Sequence, residues 1–117
     1  MKESDVRTRS KEFAVRIIMV CDNIDSRKGR GVLISQVVRS ATSIGANIFE
    51  ANYAASRADF IHKLQTSLKE CFETEYWLDL MLSAGCIDES VFSSLMQDCG
   101  VIRRMLVKSI TTAKGKQ

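Results

Sequence analysis

The sequence predicts an all-α protein, an antiparallel up-down-up-down four-helix bundle, and three observations support this fold class. Apolar residues recur at spacings of three and four along four long segments, which is the period of an amphipathic helix. Proline is absent from the 117 residues, so the residue that most strongly disrupts a helix interior is missing. Short polar or glycine-containing segments separate the periodic stretches, as in bundles whose sequence neighbours pack together. A chain of this length is expected to form one domain, residues 1–117.

The first two helices are predicted at roughly residues 4–26 and 32–54. Each carries an apolar stripe along one face, which indicates that this face packs on the core. Between them lies a basic turn that contains Gly29 and Gly31. Glycine is common just after a helix because it adopts the left-handed conformation without a steric penalty, so this turn is expected to end the first helix.

The last two helices are predicted at roughly residues 57–84 and 88–112, and each follows a capping residue. Ser56 precedes Asp59 by three positions, which resembles a capping box, in which the hydroxyl accepts a hydrogen bond from a backbone N–H of the first turn. Asp88 is the expected N-cap of the fourth helix, because an Asp side chain accepts a hydrogen bond from the same free N–H groups.

The second helix carries a polar stripe of unusual composition. Arg39, Ser43, Asn47 and Glu50 follow one another at spacings of four, four and three, and residues 31–56 contain no further charge. A helix face exposed to water is normally covered by charged side chains. We therefore predict that this stripe makes a second buried contact, with another subunit or a ligand. The alternative is a solvent-exposed face with few charges.

The third helix is apolar on two sides in its C-terminal half. Glu75 lies in the centre of its apolar stripe, where a carboxylate needs a partner because burying an isolated charge is costly; Arg39 is one candidate partner. Trp77, Leu80 and Met81 are predicted on the opposite side, and a helix that is apolar all round is buried on both sides. These three residues are the predicted interface of a ring-shaped homo-oligomer.

The basic residues suggest a nucleic-acid surface, although the formal net charge is only +3. Helices 1 and 4 are neighbours in an up-down-up-down bundle, so their cations and those of the first turn are expected to form one basic surface for phosphate groups. The candidate residues are Arg7, Arg9, Lys11, Arg16, Arg27, Lys28, Arg30, Arg103, Arg104 and Lys108. The alternative is an ordinary solvated surface, with interleaved acids such as Glu12, Asp22 and Asp25.

Patterns that carry catalytic or metal chemistry are absent from the sequence. His62 is the sole histidine, which is too few for the histidine and glutamate set of a di-iron bundle, and no nucleophile motif accompanies it. No two of the four cysteines are closer than Cys86 and Cys99, so no C-x-x-C motif exists and reduced thiols in the core are expected. We predict no metal, no cofactor and no enzymatic activity; an enzyme built around His62 is the alternative.

The expected location is the cytoplasm, with no membrane partner. The first residues lack the apolar region of a signal peptide. No apolar run approaches the roughly 20 residues that a membrane-spanning helix needs.

Four segments together resemble the four-helix-bundle family named after proteins encoded in intervening sequences of bacterial 23S rRNA genes. These segments are residues 13–18 (FAVRII), 38–51 (VRSATSIGANIFEA), 56–64 (SRADFIHKL) and 68–78 (LKECFETEYWL). The resemblance implies an antiparallel four-helix bundle that assembles as a homopentameric ring and has no assigned catalytic residues. Related members include the accessory variability determinant of diversity-generating retroelements, which binds nucleic acid and a reverse transcriptase through its basic pentamer.

The polar positions that match the family pattern are implied to pack between helices or between subunits. They are Arg39, Ser43, Asn47, Glu50, Glu73, Glu75, Tyr76 and Trp77. The function favoured by the sequence is a non-enzymatic, pentameric bundle that binds RNA or DNA electrostatically through helices 1 and 4. The alternative is an adaptor or scaffold that docks a protein partner, such as a reverse transcriptase, without a nucleic-acid role of its own.

Overall fold

The computed structural model describes residues 3–115 and places four α-helices and no strand among them. The helices are α1 (Glu3–Cys21), α2 (Arg30–Ala51), α3 (Arg57–Ser83) and α4 (Glu89–Lys114). The predicted all-α class with four helices is therefore confirmed. The principal extents are 50 × 23 × 19 Å, as expected for long helices lying side by side.

The first helix ends five residues earlier than predicted, because local hydrogen bonds end it at Cys21. The backbone N–H groups of Asn23 and Ile24 donate to carbonyls three residues earlier, which tightens the chain into a turn. The Asn23 amide side chain also donates to the Met19 carbonyl at 3.1 Å and so satisfies one of the free acceptors at the helix end. The apolar character of Ile24 continues the helical pattern in the sequence, but this residue belongs to the turn.

The turn between α1 and α2 depends on two consecutive residues with positive φ. Gly29 has φ of 81° and Lys28 has φ of 59°. Glycine adopts this left-handed conformation freely, whereas a side chain with a Cβ atom is strained there. Gly29 is also the residue before α2, and it offers no side-chain cap to the first N–H groups of that helix.

The predicted caps of α3 and α4 are present. The Ser56 hydroxyl accepts a hydrogen bond from the Asp59 N–H at 3.1 Å, and the Asp59 carboxylate accepts one from the Ala55 N–H at 3.2 Å. The Asp88 carboxylate accepts a hydrogen bond from the Val91 N–H at 2.8 Å. Both helices thus start where the sequence predicts, with free N–H groups satisfied by side chains.

Each helix packs against two others: α1 contacts α2 and α4, and α3 also contacts α2 and α4. One core cluster fills the space between them, and its fully buried members come from all four helices. The largest of these are Ile17, Ile44, Ile48, Leu78, Met81, Leu95, Ile102 and Leu106. Burial of such side chains supplies the main favourable free energy of folding.

Buried hydroxyls cross the interface between α2 and α3. The Ser67 hydroxyl donates to the Ile44 carbonyl at 2.8 Å, and the Thr74 hydroxyl donates to the Ser40 hydroxyl at 2.8 Å. Later residues of α2 thus meet earlier residues of α3. Because each buried hydroxyl has a partner, the two helices can approach closely without the free-energy cost of an unpaired polar group.

The cysteines are free thiols, as the sequence predicts, and Cys21, Cys71 and Cys99 are buried. The Cys99 thiol donates to the Cys71 carbonyl at 3.5 Å. Its hydrogen bonding with Cys71, together with burial, raises the pKa of Cys99. Burial raises the pKa of the Cys21 thiol to about 11. The raised pKa values of Cys21 and Cys99 favour their protonated form, which suits a packing role and disfavours a nucleophilic one.

Candidate nucleic-acid interface

The polar stripe of α2 lies against α3 of the same chain, where Arg39 forms an ion-pair cluster with two glutamates. The Arg39 guanidinium donates a hydrogen bond to the Glu73 carboxylate, and a second guanidinium nitrogen lies 3.5 Å from Glu70 Oε1. The predicted pairing of Arg39 with Glu75 is therefore wrong. Glu73 and Glu75 are two residues apart on a helix, so they point to opposite sides of it.

Glu75 faces α4 and pairs with a different arginine. Its carboxylate accepts a hydrogen bond from Arg103 Nε at 3.0 Å. The predicted need for a partner was correct, because only 15% of the Glu75 side chain is exposed. The partner lies on α4, the next helix in sequence, so the ion pair of Arg103 with Glu75 links α4 to α3.

Glu70 is the least satisfied carboxylate of the Arg39 cluster. Its Oε1 atom is buried and accepts no hydrogen bond, although Arg39 is close. Burial raises the pKa of Glu70, the nearby Glu73 carboxylate raises it further, and Arg39 offsets only part of this effect. The cluster therefore holds two carboxylates around one shared cation, and its stability depends on that cation.

The rest of the stripe is also occupied within the chain. The Asn47 amide donates to the Ser43 carbonyl at 2.8 Å, and the Glu50 carboxylate pairs with Lys63 of α3 at 3.0 Å. Both charged residues of the stripe thus have partners on the neighbouring helix. The Arg39 and Glu50 side chains remain 47% and 56% exposed in the single chain, so a further contact of this stripe with another subunit or a ligand stays a prediction.

The predicted interface on the back of α3 needs one correction. Met81 is only 1% exposed and belongs to the core, whereas Trp77 and Leu80 are half-buried. The Trp77 indole N–H donates to Glu73 at 3.3 Å, which holds it against the Arg39 cluster. Met81 lies three residues after the buried Leu78, so it falls on the same helix face and turns inward.

Exposed aromatic side chains on α3 were only partly expected. Tyr76 is exposed and its ring centroid lies 5.2 Å from that of Trp77. Phe72 is 54% exposed, and the Arg103 guanidinium lies over its ring at 5.5 Å. This arrangement leaves an aromatic surface beside the carboxylates of Glu73 and Glu75.

Four of the ten predicted phosphate-binding cations already have partners. Arg16 pairs with Asp98 at 2.6 Å, and Arg103 pairs with Glu75. Two more lie at or near the start of α2: Arg27 pairs with Asp25 at 2.7 Å, and Arg30 donates to the Ala84 carbonyl at 3.2 Å. A cation that holds a carboxylate attracts an external phosphate less strongly, because its charge is already compensated.

The other six candidate cations make no ion pair within the described part of the chain. They are Arg7, Arg9, Lys11, Lys28, Arg104 and Lys108, and all are exposed. Five of them lie on the adjacent helices α1 and α4. The groove between these helices has mixed charge, because Arg9 and Arg16 line it together with Glu12 and Asp98. The basic character therefore lies beside this groove rather than within it.

Two aromatic residues that the sequence reading did not single out, Phe49 and Tyr53, are exposed near the end of α2. Phe49 follows the buried Ile48, and one residue along a helix corresponds to a rotation of about 100°. This rotation places its side chain outside the core stripe. Its exposure could therefore have been predicted from the sequence, because this large aromatic residue lies next to the apolar stripe and not within it.

The candidate metal ligands between residues 3 and 115 do not cluster. His62 is exposed, and no group of three histidine, cysteine or acidic side chains is close enough to hold a metal ion there. A cavity of about 690 Å³ lies between Phe60, Leu64 and Lys108. Arg57 also borders it, but its guanidinium donates to the Ala113 carbonyl at 3.2 Å. Of the helices described, none is long and apolar enough to span a bilayer.

Comparison with known proteins agrees with this architecture. The sequence profile of the 23S rRNA-intervening sequence proteins matches residues 2–108. A crystal structure from Bacteroides thetaiotaomicron, of a protein of unknown function from the S23 ribosomal protein family, is 42% identical with a TM-score of 0.87. The match covers 95% of this chain and 99% of that one. No curated protein matches the chain at a significant level. The chain belongs to the family of 23S rRNA-intervening sequence proteins.

Proposed function

We propose that this protein is a non-enzymatic, antiparallel four-helix bundle that forms a ring-shaped homo-oligomer and binds nucleic acid through phosphate contacts. The exposed cations of α1 and α4 that lie outside ion pairs would make these contacts. Binding would be sensitive to salt and largely independent of sequence, because phosphate contacts carry no base information.

The antiparallel arrangement is supported by contacts between helices that are consecutive in sequence. Glu50 meets Lys63, and Ser40 meets Thr74, so positions later in α2 lie against positions earlier in α3. The connection between the end of α2 and the start of α3 is also short, and short connections join antiparallel neighbours in four-helix bundles.

The observation that carries the nucleic-acid role is the set of uncompensated cations on two adjacent helices. Arg7, Arg9 and Lys11 of α1 and Arg104 and Lys108 of α4 are exposed and make no ion pair among the described residues. In a ring, each subunit would add these charges to a continuous field, and such a field attracts polyanions strongly. A ring of five subunits follows from the family resemblance.

The homo-oligomer is supported by exposed apolar side chains on several helices. Val15, Ile18 and Met19 of α1 and Phe72 and Tyr76 of α3 are all exposed in the single chain. Soluble monomers rarely leave large contiguous apolar patches in water, and patches on opposite sides of a subunit favour head-to-tail assembly.

Charge reversal at Arg104 or Lys108 tests the nucleic-acid role. Each substitution, Arg104→Glu or Lys108→Glu, lowers the net charge by two units and should weaken binding of a short labelled oligonucleotide about tenfold at low salt. Lys69→Glu on α3 makes the same charge change on another exposed surface and serves as the matched control. Equal affinity of all three variants and the parent protein would contradict the proposal.

Arg103 is unsuitable for this test. Its reversal to glutamate would place a carboxylate against Glu75, whose side chain is 15% exposed, and would destabilise the contact between α3 and α4.

The exposed aromatic surface of α3 favours a second candidate function, that of an adaptor for a protein partner. Phe72 and Tyr76 offer large exposed aromatic contacts, and aromatic side chains are enriched at protein–protein interfaces. Affinity capture from host extract with and without nuclease separates the two functions. A partner retained after nuclease treatment supports the adaptor, and a partner lost after it supports nucleic-acid binding.

A further inference from the structure

A pair of aromatic rings projects from the C-terminal end of α2. Phe49 is 51% exposed and Tyr53 is 76% exposed, and their ring centroids lie 5.5 Å apart. Aromatic side chains normally bury most of their surface, so two neighbouring exposed rings leave unusually large π faces in water.

Cations lie beside these rings. The Arg7 guanidinium lies over the Phe49 ring, with its central carbon 5.5 Å from the ring centroid. A stacked guanidinium keeps its N–H groups at its edges, where they remain available to a phosphate or a base. Lys11, one helical turn further along α1, lies on the same side of the helix.

Phe49, Arg7 and Lys11 line a groove of about 450 Å³ between α1 and α2, and the Tyr53 ring lies next to that of Phe49. Small residues form its floor, including Ala14, Gly45 and Ala46. At Gly45 an added Cβ atom would lie 3.3 Å from the Ser10 hydroxyl, so glycine permits the two helices to approach closely there. The volume is within the range of small-ligand sites, about 300–1,000 Å³.

The charge of this groove is one-sided. No carboxylate lines it among the described residues, whereas Arg7 and Lys11 do. The neighbouring Glu50 is held by Lys63 at 3.0 Å, and Glu12 lines the other groove of α1, towards α4. The groove therefore complements a polyanion.

A second aromatic residue with a stacked arginine lies on α3 but has the opposite surroundings. Phe72 is exposed to the same extent as Phe49, and Arg103 lies over it at the same distance of 5.5 Å. Arg103, however, is bound to Glu75, and Glu73 is nearby. The absence of lining carboxylates therefore distinguishes the Phe49 groove from the Phe72 surface.

We propose that Phe49, Tyr53, Arg7 and Lys11 form a platform on which unpaired bases of single-stranded nucleic acid stack while the two cations contact the flanking phosphates. This inference rests on the proposed nucleic-acid role and adds a preference for single strands. Bases of a duplex are already stacked on one another, so they cannot use the rings.

The test measures binding of three labelled probes by fluorescence anisotropy at low salt: oligothymidylate, oligouridylate and a mixed-sequence DNA duplex. Phe49→Ala and Tyr53→Ala should each weaken binding of the single strands about tenfold and leave the duplex unchanged. Tyr53→Phe should bind as the parent protein does. Val32→Ala is the control, since it truncates an exposed apolar side chain at the other end of α2, and it should change nothing.

Each result has one interpretation. Selective loss of single-strand binding supports the platform, and the ratio of the oligothymidylate and oligouridylate affinities identifies the preferred chemistry of the strand. Unchanged single-strand binding by the Phe49 and Tyr53 variants overturns the platform and leaves the proposed function standing. Absence of binding by the parent protein to all probes overturns both.

Light scattering on the same variants addresses the competing occupant of the groove, a second copy of the chain. An unchanged mass supports the platform. A lower mass for Phe49→Ala or Tyr53→Ala identifies the groove as a subunit interface and overturns the platform.

Lys11→Ala provides an independent check, because loss of one phosphate contact should reduce the salt slope of binding by about one.

Discussion

Removal of Arg39 should destabilise the fold through the two glutamates that it holds. In Arg39→Ala, Glu70 and Glu73 would face each other without a cation, and neither could move fully into water. Only 15% of the Glu70 side chain is exposed, compared with 47% of the Arg39 side chain. The perturbation therefore leaves a mostly buried carboxylate unpaired, although the residue removed is half-exposed.

The expected loss lies between two limits. An exposed ion pair contributes at most about 1 kcal/mol, whereas removal of one partner from a buried pair costs about 3–5 kcal/mol. For this partly exposed cluster we expect a decrease of about 2 kcal/mol in the free energy of unfolding. Urea unfolding followed by circular dichroism should then show a midpoint lower by about 1 M. Protein concentration must be constant, because assembly contributes to apparent stability.

A double-mutant cycle assigns this loss to the carboxylates rather than to lost packing of the arginine chain. With Glu70→Gln already present, Arg39→Ala should cost about 1 kcal/mol less than in the parent protein, because one stranded charge is gone. Arg104→Ala, an exposed arginine without an ion pair among the described residues, should stay within about 0.5 kcal/mol. Equal losses for Arg39→Ala and Arg104→Ala would refute the reasoning.

Four further predictions concern stability and assembly. Burial raises the pKa of Glu70 in the folded state above its ordinary value of 4.5, so this carboxyl lowers the stability increasingly as the pH rises from that value. The stability advantage of Glu70→Gln over the parent should therefore be larger at neutral pH than at acidic pH; a constant difference in thermal unfolding contradicts this. Lys28→Gly should stabilise by about 0.5–1 kcal/mol in urea titration, since it relieves a left-handed backbone with φ of 59°. Ser56→Ala should destabilise by about 1 kcal/mol through loss of the α3 cap, whereas Ser56→Asp should retain it. Tyr76→Glu should lower the mass measured by light scattering if α3 contributes to assembly, while the control Lys69→Glu should leave it unchanged.

The fold was predictable because its determinants are local. Helical periodicity and the absence of proline are read directly from the chain, and the caps at Ser56 and Asp88 require only residues within one turn. The end of α1 was less predictable, because Asn23 terminates it with a side-chain hydrogen bond while Ile24 continues the apolar pattern. At a helix end, one local interaction can override the periodic signal.

The partners of charged residues were harder to predict, because they depend on how helices rotate against one another. The sequence indicates that Glu75 needs a cation as a partner, but it contains both Arg39 and Arg103 and does not show which of them is close. Only the packed helices show that Glu73 faces Arg39 and Glu75 faces Arg103. For the same reason, the sequence alone could not show which of the ten candidate phosphate-binding cations are in ion pairs.

The salt dependence of binding to single-stranded oligothymidylate tests the central claim most directly. For the parent protein, we predict that the logarithm of the association constant falls linearly with the logarithm of salt concentration, with a slope of about −2 or steeper, as expected when at least three cations contact phosphates. No saturable binding at low salt, or an affinity that does not change with salt, would contradict the account.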